Sequence, residues 1–229
     1  MNRKMANYVT IKFHHISDIT MFKRVAVNSD GYIDFNVLLP MPETMHIDSP
    51  QYGELPEGFV FPDVKRFNLG EFLQRCADQG VPASLALAEY NRQKFGFADW
   101  YDWRVNHWGT KWNAHGELTD KAPGELPVFQ TAWCIPEGWL GALAKYVDFT
   151  LLYADEDMGS NSGRIKASHG EMTIEKLEYS AESIALAYYV RYCGNEGKQA
   201  LMEDHADGSS KEYQDALQNY DEYICKWVC

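Results

Sequence analysis

The stretch FADWYDWRVNHWGTKWNA, residues 97–114, decides the fold of this chain because it holds four of the seven tryptophans. These are Trp100, Trp103, Trp108 and Trp112. Asp99 can cap a helix start, since its carboxylate can accept from amides two or three residues on, and Gly109 supplies a left-handed stop. Each buried ring removes about 150–250 Å² from water. The stretch therefore predicts a short aromatic helix that anchors a core.

Polar side chains between these tryptophans favour a second interpretation of the same stretch. A cation, a titratable imidazole and an amide between indole faces can hold an anionic or nucleotide ligand. Alternatively, Arg104 and Lys111 only cover the rings while their charges reach solvent or pair with Asp99 and Asp102. The candidate residues for binding a ligand or partner are Trp100, Trp103, Arg104, His107, Trp108, Lys111, Trp112 and Asn113.

Toward the N terminus, hydrophobic periodicity predicts two strands, at 7–15 and 32–39, around a helix from Ser17 or Asp18 to Val27. Residues 45–65 are rich in Pro, Gly and charge, which is typical of an irregular surface loop. Asn68 and Glu71 form a capping box for a helix over 69–78. A further helix is predicted from Pro82 to residue 95, ended by a glycine.

Beyond the tryptophans, the pattern predicts strands at 126–133, 147–154 and 164–168 and helices at 136–144, 181–193 and 210–228. The order is β-α-β-β-α-β with a helical insertion after the second strand and an added hairpin strand, a split β-α-β arrangement of the α+β class. We expect a domain over 1–170, with the insertion at about 66–115. Residues 171–229 form a helical extension that packs on it or merges with it.

Three segments in order along the chain resemble a known family. They are YIDFNVLLPMPE at 32–43, WYDWRVNHWGTKWNA at 100–114 and VFQTAWCIPEGWLGALAKYVDFTLLYADED at 128–157. They look like the YubB-like family of plasmid and phage proteins. The resemblance implies a ferredoxin-like domain and an origin in mobile genetic elements. It supplies no catalytic residue.

The charge of the chain is strongly acidic, with 33 Asp and Glu against 21 Lys and Arg, a net charge of −12. From residue 148 to the end, sixteen acidic residues stand against seven basic ones. Such a surface repels phosphate backbones, so direct nucleic-acid binding is not expected, whereas a basic partner is favoured. Acidity that serves only solubility is the alternative.

Other features of the sequence exclude several classes of protein. No run approaches the roughly 18 apolar residues of a membrane span, and the start lacks a signal peptide, so we expect a protein of the host cytosol. The five cysteines contain no Cys-x-x-Cys pair, which favours free thiols. His14 and His15 point to opposite faces of a strand and cannot share one metal.

No catalytic motif is present in the sequence. A phosphate-binding P-loop, a nucleophile elbow, a His-Glu-x-x-His pair and a dinucleotide-binding glycine turn are all missing. The Asp155 to Asp157 segment departs from calcium-loop spacing and favours a solvated turn. We therefore predict no catalytic residue, metal or cofactor, and expect a protein that is not an enzyme.

The predicted C-terminal helix carries one long apolar stripe opposite an acidic face. The stripe either packs on the domain or pairs with a second copy or another partner. Its members are the candidate interface residues Tyr213, Leu217, Tyr220, Ile224 and Trp227.

The sequence supports two hypotheses for the function. The first is a phage or plasmid accessory protein that binds and modulates a host protein with a basic surface, as an inhibitor of a defence or nucleic-acid-processing system. The second is a nucleotide-binding protein or enzyme in which the tryptophans line a pocket.

Overall fold

A computed structural model describes residues 6–47, 53–61, 67–116, 128–192, 194, 196–204 and 210–228. The chain divides into two compact units. Unit 1 is Met1–Leu39 with Trp108–Cys229, and unit 2 is Pro40–His107. The insertion predicted at about 66–115 overlaps unit 2, while the extension predicted at 171–229 lies within unit 1.

The described elements are numbered here in chain order. The strands are β1 (Ala6–Phe13), β2 (Val128–Ala132), β3 (Phe149–Asp155), β4 (Ser162–Ser168) and β5 (Glu171–Leu177). The helices of unit 1 are α1 (Ile16–Ala26), α2 (Phe35–Leu38), α6 (Glu137–Leu143), α7 (Ala181–Arg191), α8 (Glu196–Asp204), α9 (Lys211–Gln218) and α10 (Tyr220–Val228). Unit 2 holds a 3-10 turn at Glu43–Met45 and the helices α3 (Leu69–Asp78), α4 (Ala83–Phe95) and α5 (Trp100–His107).

The five strands form one antiparallel sheet in the order β2-β1-β3-β4-β5. Strand β1 lies between β2 and β3 and is antiparallel to both. The segment β2-α6-β3 is therefore a split β-α-β unit with β1 in its gap, which confirms the predicted fold class. The hairpin strand after β3 is also confirmed, whereas β5 was not predicted.

Helices cover both faces of the sheet, because residues on both sides of its strands are buried. On one face Val9 and Ile11 are buried, and Phe129, beside Val9 in register, meets Trp139 of α6. On the other face Leu152 belongs to a buried cluster with most of α7. Helices α8, α9 and α10 contact α7, and α10 also contacts the sheet, since side chains of β1 and β4 donate to its last carbonyls. Unit 1 thus has α6 on one face of the sheet and, on the other, α7 with the C-terminal helices packed around it.

Most predicted helices form where local sequence dictates. Helix α3 has the predicted bounds, and the Asn68 side chain accepts from the Glu71 amide at 3.0 Å. Helix α4 ends at Gly96, which has a left-handed backbone with φ of 83°. The predicted C-terminal helix is instead two helices that break at Asn219, whose side chain bonds to Asp215. Helix α8 was not predicted.

The strand predicted at 32–39 is wrong. Tyr32 and Ile33 make only isolated bridges, that of Ile33 to Val27, and residues 35–38 form helix α2. Asp34 caps that helix by accepting from the Asn36 amide at 2.9 Å. The Asn113 side chain accepts from the Phe35 amide and donates to Asp34, both at 2.7 Å. The periodicity of residues 32–39 was outweighed by these capping bonds, two of which come from Asn113, 78 and 79 positions away in the chain.

We expect Asn113→Ala to destabilise unit 1, since it removes the partner of the Phe35 amide and one of the donors to the Asp34 carboxylate. A lost partner of a part-buried polar group costs about 1–3 kcal/mol. Thermal and urea unfolding measure the change. The control is Asn106→Ala, which removes an exposed amide. Equal stability of the two variants would contradict the role of Asn113.

Candidate functional site

The eight candidate binding residues fall into two groups, because the boundary between the units lies between His107 and Trp108. In unit 2, the Asp99 carboxylate caps α5 by accepting from the amides of Tyr101 and Asp102 at 2.9 and 3.2 Å. The predicted cap is therefore confirmed.

On α5, the aromatic side chains are engaged with one another. Trp103 is buried, and the His107 ring stacks on it with centroids 4.1 Å apart and planes 10° apart. The Nδ1 of His107 donates to the Trp103 carbonyl at 2.9 Å. The Arg104 guanidinium lies 5.2 Å from the centroid of Trp100. These contacts fix the helix surface and hold the imidazole against the backbone.

In unit 1, two of the candidate residues support the fold. Trp108 is fully buried, its Nε1 donates to the Leu39 carbonyl at 3.0 Å, and its ring meets Phe35 edge-on. Asn113 holds Asp34 and Phe35 through the capping bonds of α2. In unit 1, Trp108 and Asn113 are therefore committed to the packing and capping of the fold.

The remaining two candidates, Lys111 and Trp112, meet a residue that the sequence analysis did not select. The Lys111 ammonium lies 4.4 Å from the ring centroid of Trp112 and 3.6 Å from that of Trp133. Trp133 is 53% exposed. We call Lys111, Trp112 and Trp133 the aromatic clamp. The sequence pattern placed Trp133 at the end of a strand, but β2 ends at Ala132. The exposure of its ring is visible only in the structure.

A tight turn holds Trp133 in place. Its φ is 70°, and the Cys134 amide donates across it to the Ala132 carbonyl at 2.9 Å. Thr131 Oγ1 donates to the Cys134 carbonyl at 2.8 Å, and Thr110 Oγ1 donates to the Ala132 carbonyl at 2.9 Å. Burial and the nearby Glu137 carboxylate raise the pKa of the Cys134 thiol. The turn is therefore held by one hydrogen bond from Thr131, which precedes it, and by one from Thr110, which is next to Lys111 in the chain.

A second polar group lies inside unit 1, across three strands. Thr131, Asn7 and Asp155 are neighbours in register on β2, β1 and β3, and all three are buried. Within the described part of the chain, neither side-chain polar atom of Asn7 has a hydrogen-bond partner. Burial raises the pKa of the Asp155 carboxyl, which accepts from the Asp157 amide at 3.1 Å. No local pattern indicated this row, because Asn7 lies more than 100 residues away from the other two members.

The C-terminal stripe packs on its own unit, which is the first of its two predicted arrangements. Tyr220 and Trp227 are buried, while Tyr213, Leu217 and Ile224 are partly buried against the same cluster. Trp227 Nε1 donates to the Glu182 carboxylate at 2.6 Å. An interface role for this stripe stays a prediction.

Within the described ranges, no group of three or more His, Cys, Asp and Glu side chains is placed to hold a metal ion. In the same part of the chain, no helix has both the length and the apolar character needed to cross a membrane.

The sheet and its helices define a ferredoxin-like α+β domain. Residues 107–191 match the model of a family described as the ferredoxin-like domain in Api92-like protein. The match begins at the last residue of α5 and ends with α7, so it covers four of the five strands. No curated protein matches the chain, and no solved structure matches it. The family supplies a fold, and its description names no activity.

We expect Trp103→Ala to unfold or strongly loosen unit 2, since truncating a buried aromatic side chain costs about 3–5 kcal/mol. The matched control is Tyr101→Ala on the same helix, where the ring is 44% exposed. Circular dichroism and limited proteolysis report the difference. A stable, well-folded Trp103→Ala protein would show that this indole is not part of the core.

We expect Asp155→Asn to stabilise the protein at neutral pH. Because burial holds the pKa of Asp155 above its usual 3.8, the folded state binds the proton more tightly, and stability falls as pH rises through the window from 3.8 to the folded value. The amide of the variant carries no charge at any pH, so the gain should vanish below pH 3.8. Thermal unfolding over a series of pH values measures the effect.

The control is Asp148, a carboxyl whose pKa is shifted in the opposite direction. The His169 amide donates to Asp148 and, with Ser168 and the nearby histidines, holds the pKa of that carboxyl below 3.8. Its stabilisation is present above pH 3.8 and lost as pH falls through the folded value. Asp148→Asn should therefore lower the melting temperature at neutral pH. Shifts of the same sign in both variants would contradict the assignment.

Proposed function

We propose that this protein is a non-enzymatic accessory protein that binds a basic surface on a host protein through its outer helices. One observation carries the proposal. Helices α8, α9 and α10 hold seven acidic against three basic residues, and their apolar sides pack on α7. Asp204 and Asp215 accept from tyrosine hydroxyls of the same unit, whereas the four glutamates of these helices are exposed.

Much of the positive charge in this layer is already matched. Lys198 pairs with Asp221, and Lys226 pairs with Glu182 at 2.7 Å. Glu203, Glu212 and Glu222 are exposed. We call these three residues the acidic face. Because two of the three cations of these helices are paired internally, the acidic face projects a negative field toward solvent.

A field of this sign favours one kind of partner. It accelerates encounter with a basic groove and disfavours a second acidic copy or a phosphate backbone. A basic groove that normally holds nucleic acid is a fitting target, so the partner we propose is a host defence or nucleic-acid-processing protein in the cytosol. The resemblance to plasmid and phage proteins supports this habitat. A homodimer through the acidic face is disfavoured by like charge.

The test compares two variants that lose the same charge. In the first, Glu203, Glu212 and Glu222 are replaced by Gln; in the second, Glu54→Gln, Glu57→Gln and Asp78→Asn remove three exposed charges from unit 2. Affinity capture from host lysate is run over a series of salt concentrations. We expect the first variant to lose captured partner about tenfold or more and the second to retain it, with binding that weakens as salt rises. Capture of no partner at any salt concentration, or equal capture by both variants, would contradict the proposal.

A further inference from the structure

The backbone of Trp133 is unusual for a bulky residue. A positive φ is disfavoured by the Cβ of any residue except glycine, yet Trp133 has a φ of 70°. Its ring is more than half exposed, so burial of the indole does not compensate for the strain. Strained residues persist where the surrounding structure determines them, and they concentrate at binding sites.

The turn around Trp133 is preorganised. Hydrogen bonds reach it from Thr110 and from Thr131, and the Cys134 thiol donates to the Gly109 carbonyl at 2.9 Å. A Cβ on Gly109 would lie 2.7 Å from the Glu137 amide, so this approach requires glycine. A ligand that meets the indole therefore finds it already oriented, and little conformational entropy is lost on binding.

The clamp carries a lysine in an acidic protein, and the nearby carboxylate, Glu137, lies 4.0 Å from the ammonium of Lys176. Among the described residues no carboxylate forms an ion pair with Lys111, although the chain carries a net charge of −12. The ammonium instead lies against two rings, 4.4 Å from the centroid of Trp112 and 3.6 Å from that of Trp133. Its positive charge is held at a fixed place beside an exposed aromatic surface and is available to an anion.

We propose that the aromatic clamp binds an anionic nucleotide. The planar base stacks on the exposed indole of Trp133, since every base offers a face for such stacking. The phosphate pairs with the Lys111 ammonium, which the contact with Trp112 helps to position. The acidity of the rest of the surface restricts the site to a small ligand, because a polynucleotide would be repelled. This site does not depend on the acidic face.

The test uses AMP as the probe, with adenosine and ribose 5-phosphate as its two halves. Isothermal titration calorimetry and quenching of tryptophan fluorescence measure binding to the full chain. We expect AMP to bind saturably and each half to bind about tenfold more weakly or worse, since stacking and charge pairing each contribute. Rising salt should weaken AMP binding.

Variants separate the clamp from general effects. Trp133→Ala and Lys111→Gln should each weaken AMP binding about tenfold or more. Trp133→Gly should also lose binding while keeping or raising the melting temperature, since glycine accepts a positive φ. The controls are Tyr146→Ala, whose ring is also 53% exposed, and Lys145→Gln; these, and the acidic-face variant, should bind AMP like the unaltered protein.

Three results would overturn this proposal. They are the absence of saturable binding by AMP, adenosine binding as tightly as AMP, and unaltered binding by either clamp variant.

Discussion

The burial of helix α7 by the sheet and by the C-terminal helices is the constraint on which unit 1 depends. Eight of its residues are buried. It packs on the strands β1, β3 and β4 and on the helices α8, α9 and α10. Gly197 allows the close approach of α8, because a Cβ there would lie 2.6 Å from the Tyr188 carbonyl oxygen. The apolar stripe of α9 and α10 is used in this packing, and the exposed glutamates of these helices, Glu212 and Glu222, face solvent.

Six of the seven tryptophans are buried or half-buried, and one is exposed. Trp108, Trp139 and Trp227 are buried in unit 1, Trp103 is buried in unit 2, and Trp100 and Trp112 are half-buried. Packing of that kind explains why the segment is so rich in indoles without requiring a ligand. Trp133 differs, because a constrained turn holds its ring outward beside a lysine. Most tryptophans of this chain thus support the core, whereas the exposed Trp133 is the one that we propose to bind a ligand.

Elements whose signals are local could be predicted from the sequence. Helix α3 follows from Asn68, and the cap of α5 follows from Asp99, because a capping side chain acts within three residues. The wrong predictions fall where contacts between distant residues determine the structure. Residues 32–39 alternate like a strand, yet Asp34 and the distant Asn113 stabilise a helical turn there. The break at Asn219 also escaped prediction, since the apolar stripe continues through it.

The candidate sites were only partly visible in the sequence. Lys111 and Trp112 were selected from the aromatic segment, whereas Trp133 was hidden because periodicity does not report a positive φ. The row of Thr131, Asn7 and Asp155 was also hidden, since it exists only through the register of three strands. The acidic charge was evident from composition, but its position on the outer layer required the packing of α7.

Hydrogen exchange of the backbone amides tests the central claim most directly, which is that the C-terminal helices are part of the core of unit 1. Amides that open only with global unfolding share one free energy of exchange. If α9 and α10 are packed on α7, their most protected amides should exchange with the same free energy as those of α7 and the central strands β1 and β3. Rapid exchange throughout α9 and α10, with α7 still protected, would contradict this claim. The apolar stripe would then be an interface for a second copy or another partner.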